Sequence, residues 1–188
     1  MNSYKISRVY KTLNEMLNDR GYKSKTLSEE ELQEHFETND NLLVNFVHKK
    51  KDLSIECVFY QPFLPEKKQI SIEKIKTLTT KYKELKDKHI ILVCSNGLNH
   101  HAVKEINATF KDNEVFHNKQ LYVNITKHVL NPKFELLENT NMFENGLKNN
   151  LPLIKNTDPM CIYFNAKAGN VFEITRPDNS IYYRLVVN

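Results

Sequence analysis

The run His89-Ile-Ile-Leu-Val-Cys94 most narrows what this chain can fold into. It has strand length and no polar alternation, which suits a strand covered on both faces. Such cover calls for helices, and candidates lie on either side. Residues 71–88 put Ile72, Ile75, Leu78, Tyr82 and Leu85 at helical spacing, with lysines on the remaining faces. After the run, Asn99 can cap a helix whose Ala102, Val103, Ile106 and Phe110 face inward. Upstream, Leu42–Val47 and Ile55–Tyr60 read as strands joined by the charged turn His48–Asp52, with a Pro62…Pro65 loop closing the second. Strand, helix, buried strand, helix is a βαβα arrangement, so residues 1–126 are expected to form one α/β module.

Two helices precede it. Ile6, Val9, Tyr10, Leu13, Met16 and Leu17 make one apolar stripe, with Ser3 as the expected cap and Gly21 as the stop. Ser28 followed three residues later by Glu31 is a capping box, and Leu32 and Phe36 give the second helix its apolar face.

The character changes after Ile125. Asn131-Pro132 breaks the chain, and residues 139–150 are polar with only a marginal helical pattern. The segment 127–188 then offers a short helix-like DPMCIYF and two alternating strands, Val171–Ile174 and Ile181–Val187. Between the strands, Arg176-Pro-Asp-Asn179 has the composition of a type I turn. A hairpin module of this size cannot bury both its faces, so it reads as an interaction module.

Composition excludes several classes. With 40% hydrophobic residues the chain can bury a core, so wholesale disorder is excluded. No apolar run approaches the roughly 18 residues of a membrane helix, and MNSYKISRVYK does not read as a signal peptide. Three cysteines are an odd number, and Cys57 and Cys94 sit in strand-like apolar runs, so they read as packing thiols of a reducing compartment. The glycosylation-like triplets Asn107-Ala-Thr109 and Asn124-Ile-Thr126 carry no meaning without a secretory route. The net charge of +4 lies mostly in residues 1–126 and is supplied by 23 lysines against 4 arginines. Lysine suits loose contact with phosphate; bidentate recognition uses arginine.

Catalytic patterns are incomplete. Asp52 and Glu56 beside Lys49, Lys50 and Lys51 resemble the carboxylate-plus-lysine sites of Mg-dependent nucleases, which require Glu-x-Lys on one strand. Here Cys57-Val58 follows Glu56, so the lysine is missing. A structure-dependent nuclease using Asp52 and Glu56 is the alternative function from another class. The neighbours His100 and His101 diverge by about 100° on a helix and have no Cys or acidic partner at ligand spacing beyond Glu105, so they read as a solvated corner. Cys94 has no orienting carboxylate, and no Gly-rich phosphate loop exists. No metal and no cofactor are expected. Lys49–Lys51 is the better phosphate-facing group, since the lysines of 71–88 are interleaved with Glu73, Glu84 and Asp87.

One resemblance covers nearly the whole chain. Leu151, Pro152, Ile154, Asp158, Pro159, Tyr163, Gly169, Ile174, Arg176, Pro177, Tyr183 and Arg184 match, in spacing, the pattern LPxI…DPxxxYxxxxxGxxxxIxRPS…YxxYRxV. That pattern belongs to the assembly domain of the small fifth subunit shared by the eukaryotic nuclear RNA polymerases, and to its archaeal counterpart. Leu121–Pro132 resembles the family's strand leading into that domain. Arg8-Val-Tyr10 and Asn18-Asp-Arg-Gly-Tyr22 resemble the opening of the eukaryotic jaw domain, which the archaeal form lacks.

The resemblance implies an α/β N-terminal jaw domain (1–126) and a small α+β C-terminal assembly domain (127–188). It implies a non-catalytic subunit of a multisubunit DNA-directed RNA polymerase. The twelve pattern residues would dock on the largest subunit, and the jaw would lie beside downstream double-stranded DNA, weakly and without sequence preference. Lys49, Lys50, Lys51, Asn99, His100 and His101 are the residues expected near that DNA. No membrane partner is implied. A free-standing regulator derived from a polymerase subunit is a third reading.

The chain also departs from the family. The family's Thr-Pro-Ser-Ala loop falls at Asn99-His-His-Ala102 here, without the proline; Leu153 and Ala168 replace usual basic residues, and the segments before Leu151 and after Pro177 are trimmed. This compaction, with a surplus of A/T-codon residues, points to a large DNA virus or a reduced parasite. The expected location is the nucleus for a cellular protein, or a cytoplasmic viral factory or virion for a viral one.

Overall fold

The computed structural model describes residues 3–24, 26–39, 41–60, 70–95, 97–138, 140, 143 and 147–188, with backbone alone at 3–5, 37–38, 147 and 149. The Pro62…Pro65 loop and most of residues 139–146 therefore lie outside the described residues. The chain divides into two units, Met1–Val123 and Asn124–Asn188.

In the first unit, α1 (Ser3–Asp19) buries the stripe from Ile6 to Leu17. Ser3, expected as the cap, is itself helical. The helix closes with Gly21 N–H on Asn18 O at 3.0 Å, and Gly21 takes φ +91°, which residues with a side chain rarely adopt. β1 (Tyr22–Lys23) and α2 (Glu29–Thr38) follow. The capping box forms: Glu31 N donates to Ser28 Oγ at 3.1 Å and Ser28 N donates to Glu31 Oε2 at 2.7 Å.

Then come β2 (Asn41–His48), β3 (Ser54–Tyr60), α3 (Ile72–Lys81), β4 (His89–Cys94), α4 (His100–Thr109) and β5 (Asp112–His117). The sheet order is β1-β2-β3-β4-β5, with β1, β2 and β3 antiparallel in turn and β3, β4 and β5 parallel. As its composition required, β4 is central to its neighbours and buried from Ile90 to Cys94. α3 and α4 cover one face through Ile75, Leu78, Ala102, Ile106 and Phe110 over Val58, Ile90 and Leu92. On the opposite face of β3, Phe59 meets Tyr10 of α1, with ring centroids 5.8 Å apart.

Three further expectations need correction. The helix of 71–88 stops at Lys81; Tyr82 leaves helical geometry and Lys83–Leu85 form a 3₁₀ turn. Tyr82 and Leu85 stay buried because a three-residue spacing serves a 3₁₀ turn as well as an α-helix. Val103 faces outward and is 36% exposed, one step of about 100° from the inward line of Ala102, Ile106 and Phe110. The strand expected from Leu121 onward is a pair of 3₁₀ turns, Asn118–Leu121 and Ile125–Lys127. The strand lies earlier, as β5, whose polar DNEVFH gives no apolar alternation.

The second unit contains β6 (Lys133–Leu136), β7 (Leu153–Lys155), α5 (Pro159–Phe164), β8 (Val171–Thr175) and β9 (Ile181–Val187). Its sheet order is β6-β8-β9-β7, antiparallel except for β7 beside β9. The expected hairpin is β8–β9, flanked by two short strands that the sequence did not announce. Its turn closes with Asn179 N on Arg176 O at 2.9 Å, and Asn179 takes φ +62°. Cys161 and Ala166 pack on Phe172, Ile174, Ile154 and Val186 to form a separate core. Asn124 is buried, and its Oδ1 accepts from Thr126 N at 3.0 Å, so this triplet acts as a structural cap. No helix among the described residues is long and apolar enough to cross a membrane.

Candidate functional site

α5 is only six residues long, so it covers part of the sheet face beneath it. Its start is fixed by sequence: Asp158 accepts from Met160 N at 2.8 Å, and Pro159 occupies the first turn where its missing N–H costs nothing. Past the reach of this helix, the same face opens into a cleft of about 460 Å³.

The cleft gathers seven of the twelve pattern residues: Pro152, Ile154, Asp158, Ile174, Arg176, Tyr183 and Arg184. Pro132, Phe134 and Tyr182 complete its wall. Phe134, Ile174 and Tyr182 are successive cross-strand partners on β6, β8 and β9, so they form one row on one face. Arg176 stacks on Tyr182, with its guanidinium carbon 3.9 Å from the ring centroid. Tyr183 also lines the cleft, but Tyr182 and Arg184 take the cleft face of β9, so its side chain turns to the other face, where it donates to Glu173 Oε2 at 3.1 Å and its ring meets Phe143 edge-on.

The other pattern residues serve the fold. Tyr163 is buried, and its hydroxyl accepts from Asn124 Nδ2 at 3.3 Å. Gly169 takes φ +92° and donates to Val186 O at 2.9 Å. Pro177 is an exposed turn residue, Pro159 begins α5, and Leu151 is half-buried. Tyr182 and Phe134 went unnoticed in the sequence. Tyr182 could have been found, since it shares the period-two face of Arg184.

The residues expected near DNA fall into two groups. Lys49–Lys51 lie in the β2–β3 turn, where His48 Nδ1 accepts from Lys50 N and Lys51 N at 3.0 Å each. Lys49 Nζ donates to Asn18 Oδ1 at 2.7 Å. Asn99 caps α4 by accepting from Ala102 N at 2.7 Å, which leaves His100 and His101 exposed on its first turn. The turn precedes β3 and the cap follows β4, parallel to it, so the groups sit at opposite ends of the sheet. A seven-residue strand separates them by about 20 Å.

Among the described residues, nothing assembles a nuclease centre. Glu56 is 4% exposed, and its Oε1 accepts from Asn45 Nδ2 at 2.7 Å and Lys88 Nζ at 2.8 Å. Asp52 is exposed in the turn. Among the described residues, no group of three or more His, Cys, Asp or Glu side chains is placed to hold a metal. All three cysteines are buried and unpaired. Burial pushes the Cys94 thiol up to about 12 and that of Cys57 well above its ordinary value, so neither is a ready nucleophile.

A buried ionic cluster emerges instead, from residues that carried no chemistry in the sequence. Arg20, just after α1, grips Glu114 of β5 at both ends, Nη1 to Oε1 at 2.7 Å and Nη2 to Oε2 at 2.9 Å. His89 Nε2 lies 2.9 Å from Glu114 Oε1, off the line of a good hydrogen bond, and its Nδ1 is 3.4 Å from Asp112. Burial alone would raise the Glu114 carboxyl, but His89 and Arg20 outweigh it and hold it below its ordinary value.

Comparison with known proteins places this geometry in context. The family described as "RNA polymerase Rpb5, C-terminal domain" matches residues 123–186. The chain is 30% identical to the DNA-directed RNA polymerases I, II, and III subunit RPABC1 of Caenorhabditis briggsae, over 100% of this chain and 98% of that protein. It is 29% identical to the corresponding subunit of Dictyostelium discoideum, over 97% and 98%. A putative DNA-directed RNA polymerase subunit, 454R of Invertebrate iridescent virus 6, is 34% identical over 52% of this chain and 60% of its own length.

Proposed function

Because the chain belongs to the Rpb5 family of RNA polymerase subunits, we propose that it is a non-catalytic structural subunit of a multisubunit DNA-directed RNA polymerase. Its second unit is the assembly domain and docks on the largest subunit. Its first unit forms part of the lower jaw near downstream DNA. The Lys49–Lys51 turn is the electrostatic guide; Asn99, His100 and His101 are a separate contact at the other end of the sheet.

The observation that carries the docking assignment is the convergence of seven pattern residues on one cleft that the small unit leaves uncovered. An apolar row rimmed by polar groups is the usual anatomy of a partner surface. The jaw assignment rests on the basic excess of residues 1–126 and on the exposed lysine turn. Lysines there give salt-sensitive proximity without reading sequence. The viral relative and the compact chain favour a polymerase encoded by a large DNA virus, working in a viral factory or virion; a cellular counterpart works in the nucleus.

The test is co-purification. A tagged full-length copy should retain the two large polymerase subunits at stoichiometric yield, and a charge reversal in the cleft, Arg184→Glu, should release them. Retention unchanged by that reversal would move the docking surface elsewhere. Divalent-metal-dependent DNA cleavage lost on Glu56→Ala would overturn the non-catalytic reading.

A further inference from the structure

The cleft of the second unit has an apolar floor and a cationic rim, and the rim arginines form no ion pair among the described residues. Of the four arginines in the chain, Arg20 has its own carboxylate, Glu114. Arg176 and Arg184 have none within ion-pair distance among the described residues, and both are exposed. Asp158, the one acid among the described residues of the cleft wall, already caps α5 through Met160 N. Asp178, beside Arg176 in the turn, accepts from Ser180 N at 3.0 Å and from Ser180 Oγ. Glu173 lies on the other face with Tyr183.

One of the two arginines is also held in place. Arg176 is stacked on the Tyr182 ring. Arg184 follows Tyr182 by two residues on the same face of β9, about 7 Å along the strand. A stacked guanidinium keeps its N–H edge available, in the geometry that binds carboxylate by two parallel hydrogen bonds. Addition of a partner strand at the β7 edge is disfavoured. Lys155 O already accepts from Asp158 N at 2.9 Å, and Arg184 Nη1 approaches Leu153 O at 3.5 Å. The other edge strand, β6, presents the ion-paired Lys133 and Glu135, a charged edge of the kind that discourages pairing.

We propose that this cleft recognises an acidic-apolar segment of the largest subunit, with a carboxylate held between Arg176 and Arg184 and an adjacent apolar side chain seated on Phe134, Ile154 and Ile174. The inference rests on the docking assignment above and supplies the chemistry of the partner segment.

The test uses the full chain and polymerase core depleted of this subunit. Arg176→Gln/Arg184→Gln should weaken binding by at least about thirtyfold, the low end of the loss from breaking a buried, hydrogen-bonded charge pair. Arg176→Lys/Arg184→Lys should recover only part, because lysine restores charge but not the fork. Lys167→Gln, outside the cleft, should bind as wild type. Both double variants should melt with the wild type, since the side chains are exposed. A photo-crosslinking amino acid at Tyr182 should label a segment containing Asp or Glu beside an apolar residue. If the double Gln variant binds within threefold of wild type, or the labelled segment has no acid, the inference fails while docking stands. If the wild-type chain does not bind the core, the docking assignment itself fails.

Discussion

The Arg20–Glu114 pair offers the most exacting test of the first unit. Replacing Arg20 by Leu removes a guanidinium whose side chain is 5% exposed from a carboxylate whose side chain is 10% exposed. Among the described residues the carboxylate then keeps only the poorly aligned His89 contact. Breaking one side of a buried pair costs about 3–5 kcal/mol, most of it from the uncompensated charge left behind. For a unit of this size that is a fall of about 10–20 °C in Tm. Glu114→Leu should cost a similar amount by stranding Arg20. The double variant Arg20→Leu/Glu114→Leu should return to within about 1 kcal/mol of wild type, because two apolar groups replace a pair whose desolvation largely offsets its attraction. The chain has no tryptophan, so urea unfolding is best followed by circular dichroism at 222 nm. If Arg20→Leu costs less than about 1 kcal/mol, the pair does not hold the end of α1 to β5. If the two single losses simply add in the double variant, the coupling is absent and the reasoning is wrong.

Acid stability should follow the same carboxylate. Its folded pKa lies below the unfolded one, so its contribution is complete above the ordinary value of 4.5 and is lost as pH falls through the folded value. The acid limb of a pH-stability curve should therefore be flatter in Glu114→Gln; an unchanged limb would refute the assignment. Gly21→Ala should cost about 1–2 kcal/mol, since a Cβ at φ +91° is strained and would sit 3.0 Å from His48 Nε2; a neutral result would mean that the turn relaxes. Native-state alkylation at pH 8 should leave Cys57, Cys94 and Cys161 intact over the time that labels a free thiol in full, as read by mass spectrometry. In assembled polymerase, replacing Lys49, Lys50 and Lys51 by Gln should reduce the slope of log K for downstream DNA against log salt by about 0.9 for each phosphate no longer neutralised. An unchanged slope would remove this turn from the DNA-facing surface.

Legibility in the sequence tracked how local the cause was. The capping box at Ser28, the Asn99 cap and the buried run of β4 are set by residues within one turn or one strand, and each could be read directly. β5 could not, because its polar residues are there to satisfy partners far along the chain: Glu114 meets Arg20, 94 residues away. Arg20 itself looked like part of a motif opening the jaw; only the fold reveals it as an interior ion-pair residue. The short edge strands β6 and β7 were equally silent. Four- and three-residue strands carry too little pattern to register without the hairpin they flank. The two groups of candidate DNA contacts illustrate the converse. Each reads plausibly in sequence, and only the parallel register of β3 and β4 sends them to opposite ends of one sheet.

The twelve-residue pattern in the C-terminal part shows why a family signature does not by itself delineate a surface. Tyr163 and Gly169 belong to the interior logic of the small unit, one as a buried hydroxyl receiving Asn124, the other as a positive-φ residue tied to Val186. Pro159 begins the helix, and Asp158 caps it while also reaching the cleft. Arg176 and Arg184 are different in kind. They lack carboxylate partners among the described residues, lie exposed beside Tyr182, and leave charge on the rim of an apolar cleft. The two classes should separate under substitution. Tyr163→Phe, by leaving the buried Asn124 amide with one acceptor fewer, should cost about 1–3 kcal/mol of stability and leave affinity for the polymerase core unchanged at a temperature where the variant is folded. The arginine variants should do the reverse. If Tyr163→Phe weakened docking as much as it lowered stability, the division of the pattern into fold-keeping and partner-facing residues would not hold.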